Sequence, residues 1–305
     1  MASAPSGEQH EIHFEDQRAT IVEVGGGIRE YVRGAREVLE PYPLEAVCDG
    51  GHGAVLVPWP NRIGGGVYEF DGEPMRLALT EPARGNAIHG LLRWTSWRPR
   101  ARERSRVVMG ARIHPQPGYP FDLDVTVEYS LGPGGLVVVT TATNLGERPL
   151  PFAAGQHPYL SPGAGRLDDC ELSLPAATLI ATDPATGLPS GRGPVDGTPL
   201  DFRAAPRRLG ETAIDSPLTD LARDGDGLAR AVLASPDGEA VELWADVAYT
   251  VIQLFTGDTL APNRRRTGLA VEPMSAPPDC FRSGEGLVRL DPGESWRGTW
   301  GALLR

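Results

Sequence analysis

The sequence predicts an all-β protein, one large antiparallel β-sandwich, and three observations carry that expectation. Strand-like runs recur with Gly, Pro or Asp turns closing them about every 8–12 residues. No window sustains a 3.6-residue apolar period, so helix is nearly absent from the expectation. Gly and Pro number 38 and 29 among 305 residues, a turn-rich composition, while 40% hydrophobic residues suffice for a buried core.

The clearest strand comes from alternation. Phe121, Leu123, Val125, Val127 and Tyr129 interleave with Asp122, Asp124, Thr126 and Glu128, which sends one face into a core and the other into water. Gly132-Pro133-Gly134-Gly135 then turns the chain into the β-branched run 136–142, completing an antiparallel hairpin. A second hairpin joins Val67–Phe70 to residues 75–79 through Asp71-Gly72, a dipeptide that supplies the positive φ values of a tight turn. Residues 240–255 and Ser295–Leu304 read as further strands. Gly25-Gly26-Gly27 reads as a bulge or turn, and the alternating Arg98, Arg100, Arg102, Arg104 and Arg106 as the wet face of a strand. Residues 184–208, rich in Gly and Pro, read as a long surface excursion. No linker divides the chain, so 1–305 is expected as a single domain, with 1–12 a flexible tail, and His10 and His13 sit in a loose-looking N-terminal stretch.

Composition narrows the chemistry. The formal net charge of −11 offers no clustered cations for nucleic acid or an anionic membrane. All 29 basic residues are arginine; the absence of lysine excludes Schiff-base enzymes, pyridoxal-phosphate anchors and phosphate-loop nucleotidases. Cys48, Cys170 and Cys280 are far apart with no CxxC pair, which fits a reducing cytoplasm. The polar, acidic start of the chain and the lack of a long apolar run predict a protein neither exported nor anchored. The six histidines, His10, His13, His52, His89, His114 and His157, form no i, i+4 ligand pair, so no metal is expected. No GxSxG elbow or strand-borne GxGxxG is present.

What remains is a set of polar residues in turn-like settings: Asn61-Arg62, His89-Gly90, His157-Pro158-Tyr159, Asp215, Gln253 and Glu272-Pro273. A single histidine such as His89 reads more simply as a hydrogen-bonded structural residue. Glu272 closes the apolar run 267–271, a setting that desolvates a carboxylate and raises its pKa; the plainer alternative is a salt bridge to one of the arginines at 264–266.

In their order and flanking text these residues resemble the aldose 1-epimerase (galactose mutarotase) family over nearly the whole chain. The motifs are VPWPNRIGGGVYEFDG around Asn61 and Arg62, NAIHG at His89, GQHPYL at His157, AIDSPLTDL at Asp215, VIQLFTGD at Gln253 and LAVEPMSAPPDCF at Glu272. The resemblance implies the large antiparallel sandwich called a supersandwich. It also implies interconversion of the α and β anomers of a free aldose without cofactor or metal. Ring opening needs a base at the anomeric hydroxyl and an acid at the ring oxygen. By motif, Glu272 would be that base and His157 that acid, with His89 and Arg62 polarising sugar oxygens. Asn61, Asp215 and Gln253 would bind ring hydroxyls, Asp215 being favoured over the nearby Asp220.

The chain departs from the galactose-type text: PWPNRI stands for ANRI, HPYL-Ser for His-x-Tyr-Phe-Asn, and PPDCF for Pro-Asp-Ala-x-Asn. It therefore resembles a divergent branch, and the sugar is left open. Trp59 and Trp94 each either stack on a sugar face or pack in the core. The implied partner is a small-molecule aldose, in a cytoplasmic monomer or homodimer. Two rival readings stand beside this one. The first is a hexose-6-phosphate 1-epimerase using the Arg264-Arg265-Arg266 run, and the second a non-catalytic carbohydrate sensor of the same fold.

Overall fold

The computed structural model describes residues 4–305, and the regular secondary structure is almost entirely antiparallel strands, joined by long turns and loops. A twelve-stranded sheet begins at Gln9–Phe14, continues through Gln17–Val22, Ile28–Arg33 and Arg36–Leu39, and crosses its middle on Tyr159–Leu160, Leu269–Met274, Val251–Phe255 and Asp215–Leu221. Ala176–Thr182 and Pro189–Pro194 close it, and the short strands Gly155–Gln156 and Val55–Leu56 branch from Leu269–Met274. A nine-stranded sheet runs Arg98–Glu103, Arg106–Ile113, Leu123–Gly132, Gly135–Asn144, Ser295–Leu304, Ala240–Ala245, Ala229–Ala234, Glu171–Ser173 and Arg207–Arg208. The inner faces of both sheets, Ile21 and Tyr31 from the first and Val127, Val138 and Trp300 from the second, belong to one continuous apolar core. Burying each such side chain stabilises by about 1.5–3 kcal/mol.

The hairpin read from alternation is present in that register. Leu123–Gly132 is buried at every second residue and pairs with Gly135–Asn144 from Leu123↔Asn144 to Gly132↔Gly135. Gly135 has φ +90°, and a Cβ there would lie 2.4 Å from the carbonyl oxygen of Ala302 on the next strand, so only glycine lets Ser295–Leu304 approach. The second hairpin returns earlier than expected, as Glu73–Arg76 rather than 75–79. Residues 240–255 divide into Ala240–Ala245 and Val251–Phe255, which lie in different sheets.

The flexible tail expected over residues 1–12 is corrected in its described part. Gln9–Phe14 is an edge strand paired with Gln17–Val22, and His10 and Ile12 are buried while His13 is half exposed. An edge strand needs only two inward side chains, and one of them here is a histidine, so its apolar alternation is too sparse to see. Within the excursion at 184–208, Pro189–Pro194 adds an exposed edge strand beside Ala176–Thr182. Among the described residues no helix is long and apolar enough to cross a membrane, and the one α-helix is Cys280–Ser283.

Candidate active site

The centre of the twelve-stranded sheet is buried on both faces. Along Leu269–Met274, Leu269 and Val271 enter the core, which turns Glu272 to the other face. Val251–Phe255 does the same with Ile252 and Leu254, turning Gln253 out as the direct cross-strand partner of Glu272. On the far side of Glu272, Gly155 pairs with Met274 and Tyr159 with Ala270, and that shared register sets His157 opposite Glu272. His157 Nε2 lies 3.3 Å from Glu272 Oε1, and the two side chains are only 5% and 2% exposed.

Neighbours hold His157 from both sides of its segment. Gln156 faces inward, where its carbonyl accepts from Trp300 Nε1 at 3.0 Å and its amide donates to the Tyr129 hydroxyl at 3.0 Å. The Tyr159 ring lies between His157 and His52, nearly parallel to both, and its hydroxyl donates to the Gly50 carbonyl at 2.6 Å. His52 in turn sits 3.0 Å from Glu40 Oε2.

The facing wall comes from the strand pair Arg62–Gly64 and Asn86–Ile88, whose register continues outward to Asn61 and His89. The His89 N–H donates to the Asn61 carbonyl at 2.9 Å, and the Asn61 N–H donates to His89 Nδ1 at 3.2 Å. Nδ1 is therefore the acceptor, and Nε2 carries the ring hydrogen. Asn61 Nδ2 donates to Gln253 Oε1 at 3.4 Å, and Gln253 Nε2 donates to Asp215 Oδ1 at 2.7 Å. Arg62 closes a two-pronged bridge on Glu81, at 2.8 and 3.0 Å.

All seven residues singled out in the sequence, Asn61, Arg62, His89, His157, Asp215, Gln253 and Glu272, line one cleft of about 300 Å³. Asp215 lies on this wall and Asp220 does not. Three further charged residues complete the wall, Glu81, Arg84 and Arg93. No sequence signal pairs Glu81 with Arg62, nineteen positions apart. The arginines at 264–266 are elsewhere and spent: Arg264 faces Glu40 and Asp49, Arg266 bridges Asp168 and Asp258, and exposed Arg265 donates to the Leu260 carbonyl. The alternative of a salt bridge from this run to Glu272 is thus corrected; Glu272 pairs with His157. Trp59 is a core residue set edge-on to Phe281, and Trp94 is half exposed beneath the Arg93 guanidinium.

Burial sets the protonation of the central pair. It pushes the His157 imidazole down to about 3, with the nearby His52 adding to the shift. It pushes the Glu272 carboxyl well above the usual range, and the Asp215 charge acts in the same direction. Both shifts oppose charge, so the pair shares one proton and is net neutral whichever partner holds it. Burial, then His157, Arg93 and Arg62, hold the His89 imidazole well below its ordinary value, in agreement with a neutral ring whose hydrogen is on Nε2. Glu272 Oε2 is buried without a protein partner among the described residues. The arrangement can move a proton in either direction between two buried groups and grip a polyhydroxylated ring around them.

The aldose 1-epimerase family model matches residues 9–301. The chain is 34% identical over 294 residues to the uncharacterised protein YihR of Escherichia coli (strain K12), covering 96% of this chain and 92% of that one. It is 33% identical to human galactose mutarotase over 168 residues, 52% of this chain and 47% of that protein. Among solved structures, a GalM/aldose epimerase homologue from C. elegans superposes with a TM-score of 0.85 at 18% identity, covering 98% of both chains. Galactose 1-epimerase from Lactobacillus acidophilus NCFM gives 0.80 at 19%, covering 96% of this chain and 92% of that one. These two likenesses establish the fold.

Proposed function

The chain belongs to the aldose 1-epimerase family, and from that premise we propose that it interconverts the α and β anomers of an aldose, with Glu272 as base and His157 as acid. The observation that carries the reading is the buried His157–Glu272 contact, 3.3 Å long, inside a cleft walled by the other five predicted residues. In the opening step Glu272 takes the anomeric hydroxyl proton, the bond between C1 and the ring oxygen breaks, and His157 delivers a proton to that oxygen. The open-chain aldehyde rotates about C1–C2, and the reverse transfers close the ring on its other face. No proton is gained or lost over the cycle.

The remaining wall supplies grip. His89 donates from Nε2 to a sugar oxygen, and Arg62, held in place by Glu81, offers its remaining N–H groups. Asn61, Gln253 and Asp215, already linked in a chain, present amide and carboxylate edges that match neighbouring hydroxyls. The test is anomer exchange of freshly dissolved α-glucose and α-galactose, followed by polarimetry or NMR. Saturable acceleration over buffer is expected. Sugar binding without acceleration would instead make the protein a carbohydrate sensor.

The shared proton fixes the pH dependence. The productive form, Glu272 ionised and His157 protonated, has the same proton count as the neutral resting pair. Activity therefore falls in acid when a second proton binds and in alkali when the shared one leaves. Burial opposes the cation in the first case and the lone carboxylate in the second, so the acid limb moves below the ordinary histidine range and the alkaline limb above the ordinary carboxylate range. A plot of kcat/KM against pH is expected to place its acid limb below the ordinary histidine range, and an acid limb at or above pH 6.5 would contradict the shared-proton account.

A further inference from the structure

The turn that joins Ala176–Thr182 to Pro189–Pro194 lies in the stretch read from sequence as a surface excursion, yet it reaches the site. Asp183 shapes it: its Oδ1 accepts the N–H groups of Ala185 and Thr186 at 3.0 and 2.8 Å, and its carbonyl accepts the Gly187 N–H at 2.7 Å. Gly187 is thereby laid against Arg62, so closely that a Cβ there would lie 2.9 Å from both Cζ and Nη1 of the guanidinium. A pocket of about 290 Å³ lined by Asp183 and Gly187 shares Arg62, Asp215 and Gln253 with the cleft. Asn86 ties this turn to the bridge that holds Arg62. It is fully buried, and its Nδ2 donates to Glu81 Oε2 and to the Thr186 carbonyl, each at 2.8 Å. Both partners can only accept, so the amide has one workable orientation. Its Oδ1 is left buried with no partner among the described residues, a cost that packing alone does not explain. The same Glu81 oxygen accepts from Arg62 Nε at 2.8 Å. Burial pushes the Glu81 carboxyl up, but the hydrogen bonds from Arg62 and Asn86 outweigh it and hold the group below its usual range.

We propose that Asn86 and Gly187 are positioning residues for sugar binding: Asn86 locks the Glu81 carboxylate to the 183–188 turn, and Gly187 leaves the space that the Arg62 guanidinium needs to face the sugar. The inference rests on the epimerase reading above, in which Arg62 grips the substrate. An arginine has many rotamers, and holding one of them before the sugar arrives removes an entropic cost from binding. Glu81 fixes the edge of the fork through Nε and Nη2. Gly187 limits one side, and what is left for sugar oxygens is the pair of N–H groups on Nη1 and the second one on Nη2. Neither Asn86 nor Gly187 lines the cleft that holds His157 and Glu272, so each acts on the sugar through Arg62.

The test measures kcat and KM separately for anomer exchange of glucose and galactose in the wild type, Asn86→Ala, Gly187→Ala, Arg62→Gln, and each of the first two combined with Arg62→Gln. Asn86→Ala and Gly187→Ala are each expected to raise KM by about tenfold and to change kcat by less than about threefold, the pattern of lost grip rather than lost chemistry. In the Arg62→Gln background the same substitutions are expected to change KM by less than about twofold, because the group they position is gone. Gly187 has φ +69°, so its alanine variant is strained and Tm is read beside the kinetics; KM does not depend on the folded fraction. Should Asn86→Ala fail to fold, the Gly187→Ala pair decides alone. An unchanged KM in the single variants, or an equal rise in KM with and without Arg62, would overturn the proposal while leaving the epimerase reading in place. No exchange by the wild type would overturn that reading and the proposal with it.

Discussion

Glu272→Gln is expected to lower kcat for anomer exchange by about a thousandfold while leaving KM nearly unchanged. General acid–base catalysis contributes about 10²–10⁴ in rate, and the amide keeps the shape and hydrogen bonding of the carboxyl while being unable to take a proton. The same substitution is expected to leave Tm equal to or above the wild-type value. Burial pushes the Glu272 carboxyl well above its usual range, so the fold bears the cost of holding an ionisable group there, and a neutral amide removes that cost. A fall in Tm with a proportionate loss of activity would make Glu272 structural. His157→Asn should cost about as much as Glu272→Gln, and the double variant little more than either, because the two act as one proton-exchanging unit. Fully additive losses would break that unit apart.

The second large effect is on stability. Gly90, with φ +74°, follows His89, and a Cβ at this position would lie 1.9 Å from the Val57 carbonyl oxygen and 2.3 Å from its carbon. Those are backbone atoms, already committed to the Leu91 N–H at 2.8 Å, and they have nowhere to go. Gly90→Ala is expected to cost roughly 3 kcal/mol or more, combining left-handed backbone strain with overpacking, and to lower Tm by about 10 °C. Exchange activity should fall further than the folded fraction does, because the displaced backbone carries His89 with it. A Tm within about 2 °C of wild type would mean that the segment bearing Val57 yields more readily than its contacts imply.

How much of this was legible depends on how local each signal is. Leu123–Gly132 could be read directly because alternation is a property of consecutive residues. Glu272 and Gln253 could be singled out as polar residues within apolar runs, but not as cross-strand partners, since register is set between segments. The setting of Glu272 was read as the close of an apolar run, whereas it lies inside a strand that is buried on both faces and continues to Met274. Glu81 and Arg93 were invisible for the same reason. One gains its meaning from Arg62 and the other from lining the cleft with no carboxylate oxygen within 4.0 Å among the described residues, and both facts exist only once the chain is folded. The edge strand Gln9–Phe14 was missed because its inward residues, His10 and Ile12, are too few to make a period.

The three guanidinium groups in the cleft have one more consequence. Every turnover of an anomer exchange passes through an open-chain aldehyde, and aldehydes condense with unprotonated amines. A lysine at position 62, 84 or 93, desolvated as Arg93 is, would shed its proton and trap the intermediate as an imine. Guanidinium stays charged and non-nucleophilic under the same burial, so the aldehyde meets no amine side chain on its way back to a ring. In a chain without a single lysine, no side-chain amine anywhere on the surface offers a reducing sugar that reaction.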